Sequence, residues 1–395
     1  MFIKEISEKN RNYTIERRRF YHSYPELTLQ EVETAKSIIK DLNELGIEST
    51  SLENGYYGCV GIIRGGKPGK TVALRADIDG LPVKEETGLD FTSKNEGKMH
   101  ACGHDAHIAM LLGAAKVLNE IKDKLCGNVK LIFQPAEELA VGAKEVIRQG
   151  FLDDVNACYG IHIWSNIDAP KINMEYGERM GSLDLCTITI NGYGAHGSAP
   201  HLGKDAIVAA SAVLMGIQSI VSRVNNPLNP LVITIGKVDG GKMYNILADK
   251  VVMDVGVRVF NKKLRMEVEG YMRHVIENVS KAYGCEGILE YNYVTGSVIN
   301  SEKHLVDIAR NAVIKLYGED ALISMEKVTG AEDFSFYQEK VPGVYGFIGA
   351  RSEEVPGSEF NNHHECFTVD ERSLERGVAV AAQFAYDFLN EDEGK

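Results

Sequence analysis

Apolar residues along the chain follow two alternating rhythms, one with helical spacing and one of short unbroken runs. The first fills residues 15–45, interrupted at Tyr24-Pro25-Glu26, where proline disfavours helix in the residue before it, and closed by Gly46. The second appears at 60–63 and 71–75, separated by Arg-Gly-Gly-Lys-Pro-Gly, the composition of a turn between two strands. Ile108, Leu111, Leu112, Ala115 and Leu118 predict a helix from Ala106 onward. Runs at 129–133 and 157–163 predict two more buried strands. Strands alternating with helices imply an α/β fold with a mixed, mainly parallel sheet flanked by helices.

The rhythm changes between 182 and 295. Cys186, Ile188 and Ile190 alternate with Thr187, Thr189 and Asn191, as in a half-buried strand. A helix at 205–224, strands at 231–238 and 251–259, a helix at 264–282 and a strand at 288–294 follow. Strand, helix, two strands, helix and strand is the ferredoxin-like order. We therefore expect a discontinuous catalytic domain, 1–181 and 296–395, and an inserted α+β domain, 182–295. An exposed sheet edge beside an amphipathic helix suits dimerisation, so a homodimer or higher homo-oligomer through the insert is expected. Beyond it come a helix at 301–317, a strand at 344–348 and a final helix at 370–390.

Charge and composition narrow the function. At 395 residues and a net charge of −13, the chain is expected to have no nucleic-acid partner. No run approaches the roughly 20 apolar residues of a bilayer span, so no membrane partner is expected. Residues 1–12 are charged where a signal peptide would be apolar, which points to the cytoplasm. Arg17, Arg18 and Arg19 are expected to form a solvated helix face. Seven scattered cysteines without CxxC spacing fit reduced thiols. The glycines at 65–69 lack the Gly-Lys-Ser/Thr ending of a phosphate loop.

Candidate chemistry centres on 99–107, Met-His-Ala-Cys-Gly-His-Asp-Ala-His. Gly103 lets the chain turn so that Cys102 and His104 converge at a helix N-terminus, where unpaired N–H groups favour a thiolate. Asp77 and Asp79 stand at the carboxyl end of one apolar strand, Glu137 and Glu138 at the end of another, and His162 in a third. The polar knots 330–334 and 361–365 flank the 344–348 strand. In a parallel sheet such ends gather along one crevice. Cys102, His104, Glu138, His162 and His363 are too many ligands for one tetrahedral zinc and suit two adjacent metals with a shared ligand. With Glu137 to shuttle a proton, the implied reaction is hydrolysis of an amide or peptide bond. Imidazole and thiolate favour zinc, while carboxylate leaves manganese, cobalt or nickel open.

The motifs Leu-Arg-Ala-Asp-Ile-Asp-Gly-Leu-Pro (74–82), His-Ala-Cys-Gly-His-Asp-Ala-His (100–107), Gln-Pro-Ala-Glu-Glu (134–138), Gly-Ile-His (160–162), Gly-Ala-His (194–196), Gly-Ala-Glu-Asp-Phe (330–334) and His363-His364 before Phe367 occur together. As a set they resemble the dinuclear-metal amidohydrolases that include hippurate hydrolases, N-acyl-amino-acid deacylases, auxin-conjugate hydrolases and related carboxypeptidases. The resemblance implies a zinc-exopeptidase-like catalytic domain and hydrolysis of N-acyl-L-amino acids or small peptides. It makes Cys102 the bridging ligand, with Glu138 and His363 at one metal and His104 and His162 at the other. Glu137 becomes general base and then acid, and Asp79 orients a ligand histidine. His196 would steady the oxyanion across a dimer, and Asn245 and Arg258 would hold the substrate carboxylate, Arg258 through a two-bond fork. Two departures stand out: Glu365 replaces a proline, so His363 is preferred over His364 only by its spacing to Phe367, and Asn245-Ile246-Leu247-Ala248 lacks the family's stiffening proline. Two alternatives remain, a thiol amidase using Cys102 with His104 or His107 as base, and a metal-containing binding protein without turnover.

Overall fold

A computed structural model describes residues 2–391. It divides the chain into two compact units: Met1–Arg179, Ile299–Glu326 and Asp333–Lys395 form the first, and Met180–Val298 with Lys327–Glu332 the second. The short segment Lys327–Glu332 therefore groups with the second unit, whereas the sequence reading left it with the first.

The first unit opens with helices α1 (Phe2–Lys9), α2 (Arg11–Ser23) and α3 (Val32–Glu44), then strands β1 (Glu48–Ser51), β2 (Cys59–Arg64) and β3 (Lys67–Asp77). Helix α4 (His104–Glu120), β4 (Cys126–Gln134), α5 (Gly142–Arg148), β5 (Ala157–Asp168) and β6 (Ile172–Asn173) follow, with a short β7 (Gly177–Met180) at the boundary. The second unit holds β8 (Leu183–Asn191), α6 (Ala206–Ser219), β9 (Leu231–Gly240), β10 (Lys250–Val259), α7 (Lys262–Ala282) and β11 (Glu286–Thr295). After β12 (Val298–Asn300) the chain returns through α8 (Lys303–Tyr317), α9 (Phe334–Lys340), β13 (Gly343–Arg351) and α10 (Arg372–Leu389).

Seven strands of the first unit pair in the order β1-β2-β4-β3-β5-β13-β6. The central four are parallel, with antiparallel strands outside them. Val72 to Asp77 are all buried, as expected for a parallel strand covered on both faces. The 64–69 turn does not make a hairpin, because β4 lies between β2 and β3. Turn composition marks a reversal of direction but not which strand becomes the neighbour. Helix α4 is buried on every side except near Lys116 and its end, packed against α2, α10 and β3. Its Ala- and Gly-rich faces let neighbours approach all round, so it is a core helix and not the amphipathic one that the Leu and Ile spacing suggests.

Arg18 departs furthest from the expected solvated face. It is 2% exposed and donates from Nε to Asp105 Oδ2 at 2.8 Å, in the first turn of α4. His22 donates to the same oxygen from Nδ1 at 2.8 Å and faces Glu85 Oε1 at 3.0 Å. Arg17 pairs with Asp41, leaving only Arg19 half-exposed beside Glu371. The basic run thus ties α2 to the helix that begins at His104.

In the second unit the antiparallel order is β11-β8-β10-β9, with α6 and α7 supplying the other layer of its core. The ferredoxin-like order of elements is the observed one. The expectation that no stretch reaches membrane-spanning length needs correction at one place. Ala206–Val224, α6 with the wider turn that follows it, spans 19 residues at a mean hydropathy of 1.7, enough by length and composition to cross a bilayer. Ala206, Ala209, Ala210, Val213 and Ile217 pack into the unit's own core, while Met215 and Val224 stay exposed, so apolar residues stand on both sides. The buried Asp184 joins the layers, accepting from Arg265 on α7 at 3.0 and 2.5 Å and from the Tyr291 hydroxyl at 3.0 Å. Breaking a buried pair strands its partner's charge, so Asp184→Ala is expected to cost about 3–5 kcal/mol in urea unfolding of the second unit, with metal content of the chain unchanged.

Candidate metal centre

Strands β3 and β4 end side by side at Asp77 and Gln134, next to the part of β5 that carries His162, and the candidate ligands gather around those ends. Gly103 occupies the N-cap of α4 at φ 87°, a left-handed conformation, and a Cβ there would sit 2.3 Å from Ile163 Cγ2. Only glycine fits between Cys102 and His104 without displacing β5.

The five candidate ligands come together as two overlapping groups. Ligand atoms of Cys102, His104 and His162 lie within 4.8 Å of one another, and so do those of Cys102, Glu138 and His363. Cys102 Sγ belongs to both, 3.5 Å from His162 Nε2 and 3.3 Å from His363 Nε2. His364 points elsewhere: its ring stacks on Phe360 at 4.2 Å and its Nδ1 accepts the Cys366 N–H. That geometry separates the two histidines that sequence spacing alone left close.

Each histidine of the two groups turns its Nε2 toward their shared space. His104 Nδ1 donates to the Asp79 carbonyl at 2.9 Å, with Asp79 Oδ1 at 3.2 Å, which leaves Nε2 for a ligand. Burial opposes a charge on this ring, but Asp77 and Cys102 outweigh it and raise its pKa well above the usual histidine range, so a cation at Nε2 displaces a proton. His162 Nδ1 donates to the Ile163 carbonyl at 2.7 Å and leaves Nε2 toward Cys102. Burial holds His162 well below the usual histidine range and lowers His363 as well, so both are neutral. His104 Nε2 and Glu138 Oε1 are buried without a hydrogen-bond partner. Burial also pushes the Glu138 carboxyl up to about 7.

The Cys102 thiol differs from expectation. Burial, and then the neighbouring Glu138 charge, push it well above the ordinary thiol range, outweighing the helix N-terminus. A buried thiol, a raised carboxyl and three imidazole nitrogens aimed at one space form a donor set that a divalent cation completes, displacing the protons it finds there, and these residues fit a metal pair.

Glu137 is half-buried, with its carboxylate within 4.8 Å of the ligand atoms of His104 and Glu138. Asp79 is buried; besides holding His104, its Oδ2 accepts the Glu138 N–H at 3.1 Å and the Thr28 hydroxyl at 2.8 Å. Asp77, His104 and His107 also lie close enough to hold an ion, but the polar atoms of Asp77 and His107 are already committed to hydrogen bonds. His107 Nε2 accepts the Ile163 N–H at 2.8 Å, its Nδ1 donates to Asp77 Oδ1 at 2.5 Å, and Arg75 donates to Asp77 Oδ2 at 2.6 Å.

The remaining predicted residues belong to the second unit. His196 is exposed and its Nδ1 accepts the Ser198 N–H at 3.1 Å, which leaves the ring proton on Nε2. Asn245 is adjacent in space, its carbonyl accepting the Gly197 N–H at 2.8 Å beside the bridge between His196 and Ile246. Arg258, on β10, donates one Nη1 bond to the Thr329 carbonyl at 2.8 Å.

Sequence reasoning missed several supports. Asn362 donates to the Cys102 and Ile163 carbonyls and accepts the Ser165 N–H, joining the His363 loop to both other segments. Glu31 was also unassigned, and His107 was weighed only as a base for the alternative thiol amidase. The only sequence signal for Asn362 was its place in the 361–365 knot.

Among known proteins, an N-acetyl-L-cysteine deacetylase of Bacillus subtilis is 37% identical over 398 residues, covering 99% of this chain and 93% of its own length. A thermostable carboxypeptidase of Saccharolobus solfataricus is 38% identical over 393 residues, covering 98% and 97%. The crystal structure of a dinuclear metal-binding peptidase from Bacillus subtilis superposes with a TM-score of 0.86 at 34% identity, covering 97% of this chain and 99% of that one. The profile of peptidase family M20/M25/M40 matches residues 73–387, and with it the chain belongs to that family.

Proposed function

We propose that the protein hydrolyses the amide bond of N-acyl-L-amino acids or small peptides, releasing a carboxylic acid and a free amino acid. The observation that carries this reading is the convergence of Cys102, His104, Glu138, His162 and His363 around one space with Glu137 beside it. The deacetylase and carboxypeptidase activities named for its relatives support the same bond class.

Cys102 is assigned as the shared ligand, with Glu138 and His363 on one side and His104 and His162 on the other. These residues would hold two divalent cations, zinc or manganese by donor chemistry and with cobalt or nickel compatible, which would supply Lewis acidity for the attacking water and the scissile carbonyl. Glu137 takes the proton from the attacking water and returns it to the leaving amine. Asp79 keeps His104 in the tautomer that ligates. His196, with its proton on Nε2, is a donor suited to the tetrahedral oxyanion. Arg258 and Asn245 hold the carboxylate next to the scissile amide, the guanidinium by two parallel bonds.

A thiol amidase would need Cys102 ionised and free to attack, whereas burial raises it and two histidine nitrogens face its sulfur. A binding protein without turnover has no use for a carboxylate placed as Glu137 is. We further propose a homodimer through the second unit. β9 is an edge strand there, and Met215, Leu228 and Tyr244 are exposed apolar residues of the same unit. A cytoplasmic location fits the seven free cysteines.

Three measurements test these assignments. Chelation is expected to abolish hydrolysis of N-acyl amino acids, and added zinc or manganese to restore it; full turnover of metal-stripped protein excludes the mechanism. Glu137→Gln is expected to lower kcat by about 10²–10⁴-fold while metal content, read by elemental analysis, stays that of the wild type; an unchanged rate rejects the general-base role. Arg258→Ala is expected to raise KM about tenfold or more for N-acyl amino acids. An equal rise for an analogue lacking the carboxylate contradicts the fork.

A further inference from the structure

Glu31 is a fully buried carboxylate with no role in the scheme above. It stands at the N-cap position of α3 yet makes no side-chain bond to that helix. The cap comes from Glu26 instead, whose Oε2 accepts the Thr34 N–H at 2.7 Å. Glu31 Oε1 is directed across the unit to accept the Ala136 N–H at 2.9 Å. Its Oε2 has no hydrogen-bond partner.

Ala136 immediately precedes Glu137 and has φ 56°, the left-handed region that a non-glycine residue adopts only when held. The turn after it closes on itself: Ala140 donates to the Glu137 carbonyl at 2.7 Å, and Val141 and Gly142 donate to the Ala136 carbonyl at 3.3 and 3.2 Å. Those bonds shape the turn but do not attach it to the rest of the unit. Two carboxylates on other segments do so, Glu31 at the Ala136 N–H and Asp79 at the Glu138 N–H. Glu137 lies between the two attachment points.

We propose that Glu31 is a positioning residue for proton transfer, fixing the backbone before Glu137 as Asp79 fixes it after, so that the Glu137 carboxylate is held at its working angle. The inference rests on the general-base reading of Glu137. A misplacement of about 1 Å at a reacting group costs on the order of 100-fold in rate, and that sets the scale expected here.

The test uses the metal-loaded enzyme with N-acetyl-L-methionine as probe. Glu31→Ala is expected to lower kcat about 100-fold, with KM within about twofold and metal content unchanged. Glu31→Gln keeps a carbonyl acceptor for the Ala136 N–H and is expected to stay within about threefold of the wild type. In a Glu137→Gln background, Glu31→Ala is expected to cost less than about twofold more, because both changes remove the same function. Should Glu31→Ala fail to fold, Glu31→Leu, which fills the space without an acceptor, takes its place. A kcat unchanged by Glu31→Ala, a full additional loss in the Glu137→Gln background, or a fall in kcat that tracks lost metal each overturns the proposal. Full activity of Glu137→Gln alone would overturn the general-base reading, and this proposal with it.

Discussion

The Asp79 carboxylate is the contact on which the centre depends. It joins four segments that the sequence keeps apart: the loop after β3, the first turn of α4, the loop after β4 and the turn between α2 and α3. Its carbonyl and Oδ1 face His104 Nδ1, and its Oδ2 takes the Glu138 N–H and the Thr28 hydroxyl. A carboxylate is acceptor-only and has room for several donors, so one residue can set the tautomer of one ligand and the backbone of another. His104 hydrogen bonding and burial act oppositely on Asp79, and the bonds win, keeping it below the ordinary carboxylate range even though it is buried. An asparagine of the same shape would present an N–H₂ to donors that need an acceptor.

Behind that contact lies a second layer of buried charge. Arg75 reaches Asp77, Gln134 and Asp333, so β3, β4 and the start of α9 share one guanidinium. Asp333 also accepts from the Gln134 amide and the Ala143 N–H, which places α5 on the same anchor. On the other side, Asp105 takes Arg18 and His22. Burial opposes the charge on His22, but Asp105 and Glu85 outweigh it and raise its pKa. Buried pairs of this kind contribute little net stability compared with apolar packing, but losing one partner is costly. Their effect is therefore to fix geometry: few alternative arrangements leave all of these charges paired.

How much of this was legible depended on whether the signal was local. Strand ends carrying Asp77, Glu137 and Glu138, and the Cys102-Gly103-His104 turn, announce themselves because short polar motifs interrupt apolar runs. The order of elements was readable for the same reason, since each strand and helix keeps its own period. What stayed hidden came from tertiary contact. The turn at 64–69 looks the same whether its strands pair or accept β4 between them. The arginines at 17–19 look solvated until α2 packs on α4. Asn362, His107 and Glu31 act on backbone N–H and C=O groups of remote segments, which no side-chain spacing records. The α6 stretch reads as a helix of the inserted domain, although its mean hydropathy over 19 residues passes for a bilayer span.

Cys102 shows best why local rules ran out. A helix N-terminus lowers a thiol, but the same fold that builds the helix also buries the sulfur and sets Glu138 beside it, and these outweigh the dipole. Without cations the centre therefore combines a protonated thiol, a carboxyl that titrates near neutrality, and imidazole and carboxylate atoms lacking partners. Each of those groups is costly to bury alone. Cations relieve all of them at once, releasing protons from the sulfur and the carboxyl, so affinity must rise with pH and part of the binding free energy must appear as folding stability of the first unit. His104, whose pKa is raised, must release a proton as well, while His162 and His363 are already neutral, and Asp79 and the Ile163 carbonyl have oriented two of the three rings in advance. The protein thus spends its buried hydrogen bonds on orienting ligands and leaves neutralisation to the metals.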